Sequence, residues 1–228
     1  MEDLGEGYDL SRWPALLSTP ELRENLYLLD LLDRYLGRAS GNPGGGGLDV
    51  GSKNGATLPA LATFFPAGWD LVELDAHRRY WDLSTRRAHG ERMARAYPSS
   101  RFYADSVTSL FGTYRLVTWV LPFVRPRPLE AWGLPRRFFQ PAALLAHVLS
   151  RVAPGGTLFV VNQGEVECEA QQALFAEAKV AAEPLGRLFG ALCPFERPRY
   201  GFRWTRPMPR SAGLSGPGSP KGAGPGPG

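Results

Sequence analysis

Apolar residues recur along this chain with two periods, and the places where the period changes predict its elements. Leu22, Leu26, Leu29, Leu32, Tyr35 and Leu36 repeat at helical spacing. Ser18-Thr19-Pro20-Glu21 precedes them, offering a capping hydroxyl, a first-turn proline and a carboxylate for the positive helix end. The helix should stop near Gly37, and Asn42-Pro43-Gly44-Gly45-Gly46-Gly47 should form a flexible connector. From residue 48 onward, short apolar runs at 48–50, 69–74, 101–105, 114–124 and 157–161 predict strands. The run Leu116-Val117-Thr118-Trp119-Val120-Leu121 is suited to burial on both faces, as in the middle of a parallel sheet. Residues 56–65, 76–96, 141–152 and 165–179 read as helices, Pro59 being tolerated because it falls in a first turn. Pro154-Gly155-Gly156 should turn the chain into the strand at 157. Residues 186–192 and 200–205 then follow as strands with no helix between them, joined by a turn at 193–198.

Strands alternating with helices predict an α/β fold of three layers, α/β/α, around a mostly parallel sheet. The final hairpin would add one antiparallel strand. The helix before the glycine connector makes an N-terminal helical extension at 1–39, the main domain occupies 40–206, and 207–228 is a Gly/Pro-rich tail expected to be disordered.

Composition narrows the classes. At 228 residues and 43% hydrophobic, the chain suits one domain with appendages. No run of about 18 apolar residues occurs, so no membrane span is expected. The acidic start, Met1-Glu2-Asp3, lacks an apolar signal core, and Cys168 and Cys193 have neither metal nor disulfide-framework spacing. A cytoplasmic protein with two isolated thiols is the expectation. The net charge of +4 is carried almost wholly by arginine, the lysines being Lys53, Lys179 and Lys221. Basic balance can serve nucleic acid, but abundant Gly, Pro, Ala and Arg also follow from G+C-rich coding, so a small-molecule partner is favoured over nucleic acid.

Candidate chemistry lies at the carboxyl ends of the expected strands, where open α/β sheets bind ligands. The first strand runs into Asp49-Val50-Gly51-Ser52-Lys53-Asn54-Gly55 and then a helix. Glu73 closes the second strand, where a carboxylate can accept from both hydroxyls of a ribose. Asp105 closes the third, where an acceptor can take an adenine amino group. The spacing is not that of a G-x-G-x-x-G pyrophosphate loop, and no Gly-Lys-Ser/Thr follows. The pattern points to a nucleoside without a phosphate chain.

An acidic residue, Gly, three residues and Gly, as in Asp49-Val50-Gly51-Ser52-Lys53-Asn54-Gly55, is similar to the first motif of class I S-adenosylmethionine-dependent methyltransferases. Glu73 and Asp105 match that family's ribose and adenine acids, and Ala153-Pro154-Gly155-Gly156-Thr157-Leu158 looks like the turn before its fifth strand. The resemblance spans about residues 40–206. It implies a Rossmann-like seven-stranded sheet, S-adenosylmethionine as cofactor, and methyl transfer to an unidentified acceptor. Asp49, Gly51, Gly55, Glu73 and Asp105 carry over as cofactor-binding residues, with Ser52, Asn54, Leu74 and Ser106 beside them. Two positions depart from the pattern: Lys53 stands where the family's middle glycine is common, and Val120-Leu121-Pro122-Phe123 is not the Asn/Asp-Pro-Pro-aromatic motif of members that methylate amino groups of bases and glutamine.

Transfer from a sulfonium needs alignment of nucleophile, methyl and sulfur, and a base only where the nucleophile starts protonated. His77, His89 and His147 read as surface or packing residues, so no catalytic residue is assigned. The proline-rich stretch 125–140 is the candidate acceptor wall, through Arg125, Arg127, Trp132 and Arg136. The N-terminal helix, with Tyr8 and Trp13 before it, is a candidate lid. The competing readings are a methyltransferase-like binding or regulatory module without chemistry and, disfavoured by the glycine spacing, a nicotinamide-dependent oxidoreductase.

Overall fold

A computed structural model describes residues 4, 7–37, 44–190 and 195–209. The connector residues 42–43, Cys193 in the hairpin turn and the tail from 210 onward lie outside the described residues.

Seven strands form one sheet in the order β3-β2-β1-β4-β5-β7-β6. They are β1 (Gly46–Val50), β2 (Trp69–Val72), β3 (Arg101–Tyr103), β4 (Tyr114–Val120), β5 (Val152–Gln163), β6 (Glu183–Leu188) and β7 (Arg199–Thr205). The first five are parallel, and β7 lies antiparallel between β5 and β6, as the hairpin predicts. The chain runs outward from β1 to β3 and then returns to place β4 on the other side of β1. That reversal makes the carboxyl ends of β1 and β4 the switch point of the sheet.

The helices are α1 (Trp13–Leu16), α2 (Thr19–Leu36), α3 (Leu58–Phe64), α4 (Arg86–Ala96), α5 (Pro126–Ala131), α6 (Pro141–Arg151) and α7 (Gly164–Glu177). Strand alternation sorts the core into two layers. Leu71, Leu116, Phe159 and Val161 pack with Leu29, Leu32, Leu58 and Leu61 of α2 and α3. Leu48, Val50, Val117, Leu158 and Val160 pack with Leu145 and Val148 of α6 and Phe175 of α7.

Helix α2 starts and stops where its residues dictate. Glu21 accepts from the Ser18 N–H at 2.9 Å and from the Ser18 hydroxyl at 2.7 Å, and Gly37 ends the helix at φ 73°. Asn25, 1% exposed, ties α2 to the start of α3. Its amide donates to the Ala56 carbonyl at 2.7 Å and its oxygen accepts from the Ala60 N–H at 2.9 Å.

Four expectations need correction. The helix expected over 76–96 is confined to Arg86–Ala96, because Thr85 caps it by accepting the Ala88 N–H and an Asp82–Ser84 turn leads into that cap. Pro154-Gly155-Gly156 does not precede β5 but interrupts it, where the register against β4 shifts between Tyr114 and Leu116. The first hairpin strand is Glu183–Leu188 rather than 186–192, with its own irregularity between Pro184 and Gly186. Trp13 and Tyr8 do not sit over a ligand site. Trp13 is 1% exposed in the core with its Nε1–H on Thr63, and the Tyr8 hydroxyl donates to Asp33. Helix α2 packs into the core through Leu28, Leu29, Leu31 and Leu32.

Candidate functional site

Above the switch point lies a cavity of about 940 Å³, at the upper end of the size usual for ligand sites. Register explains what meets there. Val50 is level with Val72 on one side and with Trp119 on the other, so Gly51 and Glu73 leave the sheet together.

The β1 loop folds tightly onto the end of β2. The N–H groups of Gly51 and Ser52 both donate to the Val72 carbonyl, at 2.9 and 3.0 Å. The next N–H, that of Lys53, donates to Glu73 Oε2 at 2.6 Å. Lys53 adopts φ 62°, a conformation natural to glycine, which accounts for the glycine common at this position in the resembling motif. The residue is exposed at the cavity wall. Gly51, at φ 71°, has open space where a Cβ would stand, leaving the backbone free for a close approach. Beside it the Ser52 hydroxyl lines the cavity, buried and without a hydrogen-bond partner.

Glu73 is 6% exposed. Its Oε1 accepts from the Asp75 N–H at 3.0 Å and stands 4.0 Å from the Arg86 guanidinium. Burial lifts its carboxyl above the ordinary range, against the pull of the two backbone donors and Arg86. Asp49 faces the α2–α3 side. Thr118, its register neighbour on β4, donates to it at 2.7 Å, and Thr57 donates at 3.1 Å. Desolvation nevertheless pushes Asp49 up to about 7.

The expected site residues divide. Asp49, Gly51, Ser52, Glu73, Leu74, Asp105 and Ser106 share the cavity wall. Asp105 is exposed and accepts the Ser106 N–H, while the Ser106 hydroxyl caps the turn that follows by accepting from the Thr108 N–H. Asn54 and Gly55 lie off the wall. Asn54 accepts the Ala56 N–H, and a Cβ on Gly55 would stand 3.3 Å from Leu71 and 3.4 Å from Gly90, so that glycine brings the loop against α4. Arg125, Arg127 and Trp132 line the cavity, whereas Arg136 is exposed off the wall, 3.7 Å from Glu130. None of the three histidines is on the wall. His89 contacts Ser84 and Arg92, and His147 bonds the Leu110 carbonyl.

Other wall residues carried no signal in the sequence. Glu24, Tyr27, Leu28 and Leu31 come from the cavity-facing side of α2, and Phe195, Arg197 and Arg199 from the approach to β7. Only the fold brings these segments together. Among the described residues no group of acidic, histidine and cysteine side chains could hold a metal, and no helix is long and apolar enough to cross a membrane.

No protein-family model and no curated protein matches the chain. Solved structures do. The N-methyltransferase NodS from Bradyrhizobium japonicum WM9 is 14% identical, with a TM-score of 0.53 over 84% of this chain and 99% of that one. The magnesium protoporphyrin IX methyltransferase ChlM from Synechocystis PCC 6803, solved with bound S-adenosylmethionine, is 13% identical, with a TM-score of 0.53 over 86% and 90%. The plantazolicin methyltransferase BpumL, solved with S-adenosylhomocysteine (SAH), is 11% identical, with a TM-score of 0.53 over 83% and 86%. At these identities the likeness establishes the Rossmann-like, seven-stranded fold.

Proposed function

We propose that this protein is an S-adenosylmethionine-dependent methyltransferase acting in the cytoplasm on a small-molecule acceptor. The observation that carries the reading is the buried Glu73 carboxylate, fixed at the end of β2 by the N–H of the glycine loop and opening onto a cavity over the switch point. The residues fit the cofactor. Glu73 accepts from the ribose hydroxyls, and Asp105 and Ser106 stand on the adenine side. The unpartnered Ser52 hydroxyl and the open face of Gly51 receive the remainder. When bound, S-adenosylmethionine supplies a methyl group already activated on a sulfonium.

The chain's work is then alignment and exclusion of water. Tyr27, Leu28, Leu31 and Phe195 give the acceptor an apolar wall, and Arg197 and Glu165 at its margin suit a polar or charged substituent. That wall carries carboxylates, Glu24, Glu165 and Glu167 among them, rather than a histidine, and a base is needed only where the acceptor's nucleophile starts protonated. S-adenosylmethionine carrying a tritiated methyl group, incubated with wild-type protein and fractionated cell extract, should label a low-molecular-mass fraction. Label in RNA or protein instead would refute the acceptor class. A competing reading, a binding module without chemistry, draws on the internal use of the Gly51, Ser52 and Lys53 N–H groups. Tight cofactor binding with no labelled fraction would decide for it.

A further inference from the structure

The stretch 125–140, read from sequence as an acceptor wall, reaches toward the other end of the cavity. Trp132 is held there by two arginines, Arg78 from the β2–α4 connection and Arg86 at the start of α4. The Arg86 guanidinium lies 4.5 Å from the Trp132 ring centroid and that of Arg78 lies 5.2 Å from it, and Arg78 also donates to the Trp132 carbonyl. Both arginines share Asp75, at 3.1 Å from Arg86 and 2.9 Å from Arg78. Arg86 is 4% exposed, and its buried Nε–H finds no acceptor. The Trp132 face and the carboxylates of Asp75 and Glu73 are thus the groups that hold its charge. It is also the one cation within ion-pair distance of Glu73 among the described residues.

We propose that Arg86 is a positioning residue that ties the Glu73 carboxylate to Trp132, making Trp132 a wall of the nucleoside end and coupling cofactor binding to the seating of segment 125–133. The inference rests on the reading of Glu73 as the nucleoside acceptor. Two features of the geometry support it. Trp132, Glu73, Leu74 and Asp105 line the same cavity. The ring also contacts Phe123, at 6.4 Å between centroids, so its seating is transmitted to the end of β4. Without Arg86, Glu73 would lose its counter-charge and Trp132 one of the two cations on its face, both in a desolvated setting where such contacts are strong.

The test measures calorimetric affinity for SAH in wild type, Arg86→Gln, Trp132→Ala and the double variant, with thermal melts as a check on folding. Each single variant should weaken binding about tenfold, and the double variant should lose far less than the product of the two, because both break one linked unit. Trp132→Phe should retain affinity and reduce the tryptophan fluorescence change on titration, Trp119 on the same wall supplying the remainder. Wild-type affinity in Trp132→Ala, or losses that multiply in the double variant, would overturn the coupling while leaving the cofactor reading intact. If Arg86→Gln fails to fold, Trp132→Ala and Trp132→Phe decide alone. A wild-type protein that does not bind SAH overturns the reading and the inference together.

Discussion

Asp49 offers a perturbation whose size follows from its surroundings. The residue is 3% exposed in β1, and burial outweighs two threonine hydroxyls to move its carboxyl from an ordinary 3.8 to about 7, with nearby Glu73 adding to the lift. Because the folded value lies above the unfolded one, the contribution to stability is complete below about pH 4 and is lost as the pH rises through about 7. At ~1.4 kcal/mol for each tenfold change in the proton equilibrium, the move amounts to about 4 kcal/mol. Asp49→Asn keeps the shape and cannot ionise. Relative to wild type it should gain up to about 4 kcal/mol between about pH 4 and pH 8. Urea unfolding of both proteins across that range measures the difference directly, through the midpoint at constant m. Glu73, raised by burial in both proteins, largely cancels in the comparison. Parallel stability profiles would refute the argument, since they would mean that Asp49 stays ionised in the folded protein at no cost.

Further outcomes follow from other contacts. Asn25→Ala should destabilise the protein by about 2–4 kcal/mol in urea unfolding, because it strips the partners of the Ala60 N–H and the Ala56 carbonyl beneath α2. A loss under about 0.5 kcal/mol would mean that α2 is a detachable extension. Lys53→Gly should stabilise by about 0.5–1 kcal/mol by relieving the positive φ, with cofactor affinity changed less than about twofold because the N–H to Glu73 remains. A tenfold loss of affinity would instead assign the lysine side chain a part in binding.

The sheet was legible because its strands announce themselves. The β4 and β5 runs are apolar on both faces, and the positions of Asp49, Glu73 and Asp105 follow from where those runs end. The ends of α2 were legible for the same kind of reason, Ser18, Glu21 and Gly37 being local signals with local causes. What stayed hidden depends on tertiary neighbours. In residues 76–85 the Asp82–Ser84 turn and the Thr85 cap are local signals that the helical reading passed over, and the burial of Arg86 between Asp75 and Trp132 is the tertiary part that it could not show. The inward placement of Trp13 and Tyr8 was hidden because their partners, Thr63 and Asp33, lie 50 and 25 residues away. The wall formed by Tyr27 and Phe195 joins segments from opposite ends of the chain, a juxtaposition without periodic signature.

The central claim is that the cavity over β1 and β2 holds S-adenosylmethionine through Glu73. Calorimetric titration of wild type and Glu73→Ala with S-adenosylmethionine, SAH and NAD tests it most directly. Both sulfur nucleosides should bind saturably, Glu73→Ala should lose about 1–3 kcal/mol of that binding, and NAD should not bind. Binding of NAD without S-adenosylmethionine, or unchanged affinity when Glu73 is removed, would contradict it.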